Sequence, residues 1–265
     1  MLKISVLLAV HNGEEKIEKA IQSILSQTFR DFELVVIDDG SIDQTQKIIS
    51  EIQKKDNRII LESIPHSGLT RALNQGLHLA KGEYIARMDA DDIAHIDRLQ
   101  KEVEFLNQNP AVGVLGTGYE VILENGGREK PNVPLLIKHE EIKKALPEFN
   151  PFFHGSTIIR KKLLDQVGGY DENFLLAQDY DLWFRLSKLT RFSNLNEVLM
   201  LRHEDVKTIQ KEKRQNWFGV KARLKAIREG NSSILNFIYI ARPFFVMIMP
   251  IWLKQMIRKL VHGKN

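Results

Sequence analysis

Within the first 110 residues, a short apolar run gives way four times to a polar turn and then to apolar residues at helical spacing. Lys3 to Val10 (KISVLLAV) is almost continuously apolar and rich in β-branched residues, which predicts a strand buried on both faces, as in a parallel sheet. His11-Asn12-Gly13 is turn chemistry, and a helix from about Glu14 to Gln27 carries Ile17, Ile21, Ile24 and Leu25 on one stripe. Phe32 to Ile37 predicts a second buried strand, stopping at Asp38-Asp39-Gly40-Ser41. Ser41 with Gln44 reads as a capping box that opens a helix carrying Ile48, Ile49 and Ile52. Arg58 to Leu61 is a short third strand; a third helix runs from Ser67 to Lys81 and stops at Gly82. A fourth strand ends in Asp89-Ala90-Asp91-Asp92, and a fourth helix (Ile96, Leu99, Val103, Leu106) ends before Pro110. Such alternation predicts an α/β fold with a doubly wound, mostly parallel sheet and right-handed crossovers.

The second half is less regular. Ala111 to Leu123 predicts one long or bent strand, 124–134 a loop, and Leu135 to Leu146 a helix. Phe152 to Arg160 reads as a strand with His154 near its start, and Lys161 to Val167 as a short helix ended by Gly168-Gly169. Leu176 to Leu189 predicts a helix holding Asp179, Asp181 and Trp183, and Arg191 to Leu201 a final strand before Arg202-His203.

Open parallel sheets bind ligands at the carboxyl ends of their strands. Three strand ends here carry unusual polar groups: His11 and Asn12, Asp38 and Asp39, and Asp89 to Asp92. Strand alternation would point Asp89 and Asp91 the same way. Two like charges that close repel unless a cation joins them, and a hard divalent ion, Mg²⁺ or Mn²⁺, fits because it takes carboxylate and phosphate oxygens. A solvated acidic turn before a helix is the alternative.

Length and charge add a second theme. The chain has 265 residues, 43% hydrophobic and 27% charged, enough for one large domain with an appendage. It has no cysteine, which removes disulfides, thiolate metal sites and cysteine nucleophiles. No cleavable leader is expected at Met1-Leu2-Lys3. The net charge of +4 divides unevenly: 14 Lys/Arg against 4 Asp/Glu from Arg202 onward make the tail +10 and the body −6.

Neither a G-x-G-x-x-G after the first strand nor a G-x-x-x-x-G-K-[ST] is present, so a carboxylate-held metal is the natural substitute for gripping a diphosphate. The stretch SVLLAVHNGEEKIEKAIQSILSQTFRDFELVVIDDGSIDQT, followed by LNQGLHLAKGEYIARMDADD, resembles the family 2 glycosyltransferases, which have the GT-A nucleotide-diphospho-sugar transferase fold. The resemblance runs from about Lys3 to His203. It implies that Ala9 and His11 line the base, that Asp39 accepts a hydrogen bond from it, and that Arg71 faces the nucleotide phosphates. It implies Asp89 at the ribose or a metal-bound water and Asp91 as the metal ligand, with Asp92 as a helix-start or neighbouring residue. Ala177-Gln178-Asp179-Tyr180-Asp181-Leu182-Trp183 is similar to the family's E-D-x-D-L-W stretch and makes Asp179 the base of an inverting transfer, although Gln178 stands where Glu is usual. Asp181 is read as structural. His154 and Trp183 are the acceptor-side candidates, each with a structural alternative. His203 matches an Arg-x-His element that reaches diphosphate or metal, but Leu201 occupies the Arg position.

The expected organisation is a GT-A domain over 1–205 and a basic helical tail over 206–265. Residues 207–228 read as an amphipathic basic helix. Residues 234–253 are long enough to span a bilayer, yet Arg242, Pro243 and Pro250 disfavour it, since a central Arg costs about 2.5–3.5 kcal/mol. An interfacial segment on anionic lipid is the first reading, with a spanning helix or a homo-oligomer contact as alternatives. Nucleic-acid binding is not expected. The resemblance therefore implies a metal-dependent inverting transferase, cytoplasmic and peripheral at the inner membrane face. Its donor would be a nucleoside-diphosphate sugar, with UDP as the nucleotide, and its acceptor a glycan or lipid-linked glycan. A non-catalytic nucleotide-sugar-binding protein and a nucleotidyltransferase are the alternatives.

Overall fold

The computed structural model describes residues 2–123, 126–131, 133–203 and 209–241. The first half holds β1 (Ile4–Val10), α1 (Ile17–Leu25), β2 (Phe32–Asp39), α2 (Thr45–Gln53), β3 (Ile59–Ile64), α3 (Leu69–Leu79) and β4 (Tyr84–Asp89). The two-residue β5 (Ile93–Ala94), α4 (Arg98–Gln108), β6 (Val112–Ile122), β7 (Arg128–Glu129) and α5 (His139–Ala145) follow. A 3₁₀ turn at His154–Ser156 leads to β8 (Ile158–Arg160), α6 (Lys161–Val167), α7 (Gln178–Leu186), β9 (Arg191–His203) and α8 (Ile209–Arg228). A final 3₁₀ turn spans Ile234–Phe237.

The strands form one sheet in the order β3-β2-β1-β4-β8-β6-β9-β5, with β7 on β6. β1 pairs in parallel with both β2 and β4, and β2 with β3, whereas β8 runs antiparallel to β4 and β6. The expected α/β class and mostly parallel sheet are found. Alternation along β1 shows why its run is apolar throughout. Ile4, Val6, Leu8 and Val10 enter a core under α1, α2 and α4, while Leu7 and Ala9 enter a second core under α3 and α7. α3 presses so close that a Cβ on Gly76 would lie 2.1 Å from a Leu7 methyl, so only glycine fits there.

Several boundaries differ from expectation for local reasons. Ser41 does not cap α2; its hydroxyl accepts from the Asn12 amide (2.9 Å), and the helix opens at Thr45, whose amide donates to Asp43 (3.0 Å). Ser67 lies before α3 because its amide and hydroxyl both donate to Asp39 (2.7 and 3.0 Å). The expected strand from Phe152 opens instead with the 3₁₀ turn, and pairing starts only at Ile158.

α8 is docked rather than loose. Val220, Ala222 and Ala226 are buried, and Lys225 bonds Asp171 (2.8 Å) and Asp181 (2.7 Å). Arg223 donates to the carbonyls of Pro147 (2.7 Å) and Glu148 (2.6 Å) and lies over the Tyr180 ring. The expected domain boundary at 205 and the stretch 242–253 lie outside the described residues. No helix among the described residues is long and apolar enough to cross a membrane.

Candidate active site

Sheet order puts the site where topology reverses. After β1 the chain winds outward to β2 and β3, then returns to lay β4 on the other side of β1. A crevice opens at such a switch point, past the strand ends. Ala9 pairs with Asp89 and Val10 with Asp38 across it, so the three polar strand ends converge as expected. A cleft of about 440 Å³ lies here, lined by Ala9, His11, Asn12, Asp43, Asp89 and Asp91, among others. Its rim is cross-clamped: the Asn12 side chain accepts from the Ile42 amide (2.9 Å), and the Gly13 amide donates to Thr45 (2.8 Å). Asn12 is left-handed (φ 53°), a conformation asparagine tolerates.

Asp39 and Arg71 do not line that cleft. Asp39 is buried, and its carboxylate accepts from the amides of Ser67 (2.7 Å) and Gly68 (2.9 Å), holding the start of α3. Its carbonyl takes Nδ1 of both His11 (2.8 Å) and His66 (3.0 Å), whose rings stack 4.1 Å apart. Arg71 lies exposed on α3, paired with Glu172 (3.2 Å).

The carboxylate turn departs from simple alternation. β4 stops at Asp89, and Ala90 and Asp91 form a turn, so the residue that swings back beside Asp89 is Asp92. A Cβ on Gly155 would sit 2.8 Å from Asp89 Oδ2 and 3.1 Å from Asp92 Oδ2, so both carboxylates face one glycine. Asp89 is also held from below by Arg87 (2.6 Å), a buried neighbour on the same face of β4. Asp92 is buried, and its Oδ2 has no hydrogen-bond partner among the described residues. Burial, then the charges of Asp89 and Asp91, hold its carboxyl well above the usual carboxylate range.

The last strand closes this turn. β5 pairs with β9 through Ile93 and Leu201, bringing His203 onto the carboxylates. The His203 amide donates to Asp92 (3.3 Å), and its Nδ1 bonds the Asp91 carbonyl. A carbonyl only accepts, so Nδ1 is the donor in this contact. Arg202, one residue after the expected Arg position, reaches the second cavity and lies 5.3 Å over the Phe153 ring. Among the described residues no three His, Asp or Glu side chains already stand close enough to cage an ion. The residues present nonetheless suit a hard divalent cation: Asp89 and Asp91 line the cleft, and the buried Asp92 oxygen beside Asp89 has no partner among the described residues.

Asp89 is shared with a second cavity of about 750 Å³ that also holds His154, Gln178, Asp179, Arg202 and, from α8, Gln215, Asn216, Gly219 and Arg223. Asp179 sits in the first turn of α7, beneath Ala177, which adopts left-handed φ 56°. Alanine there is strained, of the order of 1 kcal/mol, and such strain gathers at functional sites. Burial raises the Asp179 pKa, and the Asn150 amide bonding its Oδ2 (2.6 Å) opposes the rise. His154 bonds the Tyr170 hydroxyl (2.8 Å), and burial with the Arg87 charge keeps its pKa well below the usual histidine value, hence neutral. Trp183 is fully enclosed against Phe152 and His154, so the structure places it in the core and away from the cavity wall. Asp181 is structural as read, bonded to Arg185 (2.8 Å) and Lys225.

A switch-point cleft joined through one carboxylate to a cavity holding a buried candidate base is the layout of a GT-A group-transfer enzyme. The Glycosyl transferase family 2 profile matches residues 5–168, and the chain belongs to that family. It is 35% identical over 205 residues to the O-antigen biosynthesis glycosyltransferase WbnJ of Escherichia coli, covering 74% of this chain and 78% of that one. S. aureus TarS 1–349 in complex with UDP-GlcNAc superposes with a TM-score of 0.71 at 20% identity, over 92% of this chain and 70% of that one. Against a longer TarS structure the match covers 43% of that chain. A mannosyltransferase from Pyrobaculum calidifontis in complex with GDP-Man and Mn2+ superposes at 0.67 and 20% identity, over 93% and 70%. The two structural likenesses show the fold.

Proposed function

We propose that the protein is an inverting, metal-dependent glycosyltransferase that moves a hexosyl or N-acetylhexosaminyl group from a UDP-linked donor to a hydroxyl of a glycan or lipid-linked glycan. The observation that carries this reading is Asp89, common to the cleft at the sheet's switch point and to the cavity that holds Asp179. The nucleoside would lie over Ala9 and His11, and the diphosphate beside Asp89 and Asp91. A divalent cation held by those two carboxylates, beside Asp92 and His203, would offset charge on the departing diphosphate. Asp179, ionised, takes the acceptor hydroxyl proton as that oxygen attacks the anomeric carbon. The bond from that carbon to the diphosphate oxygen breaks with its electron pair, and one displacement inverts the centre. Arg202 adds positive charge beside the carboxylate turn, where its field reaches Asp92. The assay is nucleotide release from UDP-sugars with Mn²⁺, with and without acceptor. Release is expected, and UDP binding with no turnover of any donor would overturn catalysis.

The acceptor cavity adjoins an apolar face. Ile238 and Tyr239 line it, while Ile234, Leu235 and Phe237 are exposed beside it. With the basic residues of α8 and of 242–265, this face suits an anionic, cytoplasmic membrane surface. The full chain should float with phosphatidylglycerol vesicles, and a chain ending at 233 should not; equal flotation would refute the membrane contact.

A further inference from the structure

A third cavity, of about 380 Å³, lies behind the acceptor cavity and is not used by the transfer described above. Tyr119, Asn150, Phe152 and Phe153 line both, so the two cavities adjoin along these side chains. Asn150 is one of them and bonds the candidate base directly (2.6 Å to Asp179 Oδ2). Anything in the third cavity is therefore one side chain from the reacting centre.

The walls have a consistent chemistry. Tyr119 and Phe153 stack with ring centroids 4.4 Å apart, giving an aromatic surface at the partition. The far wall is a bulge in β9. Pairing with β6 jumps from Thr117 with Leu195 to Gly118 with Val198, leaving Asn196 and Glu197 as extra residues that project from the ladder. Bulges re-aim side chains and concentrate beside functional sites. This one requires its partner to be glycine, since a Cβ on Gly118 would lie 2.9 Å from the Glu197 carbonyl. Aromatic faces suit the apolar C–H face of a sugar ring, and the amides of Asn150 and Asn196 can donate to and accept from its hydroxyls. The volume falls within the roughly 300–1,000 Å³ of small-molecule sites, too small and concave for a protein surface.

We propose that this cavity is a second acceptor subsite, which binds the sugar next to the one being glycosylated and so selects an oligosaccharide over a single sugar. The inference rests on the glycosyltransferase reading for the meaning of the first acceptor site, and its test separates the two. The full chain, with UDP and Mn²⁺, is titrated with malto-, cello-, chito- and manno-oligosaccharides of increasing length. At least one series should gain about tenfold in affinity from monosaccharide to trisaccharide. Val198→Trp fills the cavity from an exposed position and should erase that gain, leaving UDP affinity, monosaccharide affinity and Tm unchanged. Asn196→Ala should reduce the gain severalfold. A gain that survives Val198→Trp, or no gain in any series, overturns the subsite. Length-dependent binding with no turnover of any UDP-sugar would instead leave the subsite standing and refute the transferase.

Discussion

The two halves of the site are built differently. The cleft proposed for the nucleotide is assembled from turns that each follow their own strand: β1 into Asn12, β2 into Asp43, β4 into Asp91. Its clamps join neighbouring strand ends, and its core is the alternating packing of β1, β2 and β4. The acceptor side is drawn from segments far apart in sequence: the loop at 148–154, α7, the end of β9 and α8. It is held by long-range polar contacts, such as Lys225 to Asp171 and Asp181, and Arg223 to the 147–148 carbonyls. A local scaffold thus stands beside a composite one.

The sharpest break in that comparison is chemical. Asp179→Asn keeps shape and the Asn150 neighbour but removes the base, so transfer should fall about 10²–10⁴-fold while donor affinity stays near that of the parent chain. Steady-state transfer and UDP calorimetry read the two separately; unchanged turnover would move the base elsewhere.

Stability offers the next break. Arg98 and Glu102 are fully buried and paired at 2.9 Å, and Arg98 also donates to the Arg87 carbonyl (2.9 Å), tying α4 to the strand that ends in Asp89. Burial pushes the Glu102 pKa up to about 6, with Arg98 opposing it. Arg98→Met would strand that carboxylate, and about 3–5 kcal/mol of stability should disappear at neutral pH. Because a carboxylate of raised pKa destabilises the fold only when ionised, the loss should shrink as pH falls below that pKa. Denaturant melts at both pH values would show it, and a pH-independent loss would contradict the account.

A third break lies at the joint. Gly155→Ala would push a methyl into Asp89 and Asp92 from the acceptor side. A displacement of that size costs up to about 10²-fold in turnover, and Mn²⁺ activation should weaken with it. Retained activity at ordinary Mn²⁺ would show that the two carboxylates are free to move apart.

The same division governs what could be read from the chain alone. The β1, β2 and β4 strands and their polar ends were legible because apolar runs and turns are local signals. Strand alternation could not show that the strand stops at Asp89 and that a turn brings Asp92 back beside it. Arg202 was passed over because an Arg-x-His spacing counted back from His203 lands on Leu201; only the fold shows Arg202 reaching the second cavity. Nothing local marked Asn150 as the partner of Asp179, 29 residues on, or showed that Asp39 would spend its carboxylate on the start of α3. The basic helix was visible, but the pairing of Lys225 with two aspartates depends on α7 lying across it.

Asn150 supplies the finest test of the composite side. Its amide donates to Asp179 Oδ2 and favours the ionised form, against burial, which favours the neutral one. Asn150→Ala removes only the first influence, so the Asp179 pKa should rise further above the usual carboxylate value. Transfer requires the ionised base, so the acid limb of the pH–rate profile should move to higher pH, while the rate on the plateau above it changes little. Linkage gives a second sign: with the folded pKa raised, the variant should lose more stability near neutrality, where Asp179 is charged, than in acid, where it is neutral in both states. Both shifts belong to one hydrogen bond. An acid limb that stays in place while Tm falls equally at all pH values would mean that Asn150 serves packing alone and does not tune the base.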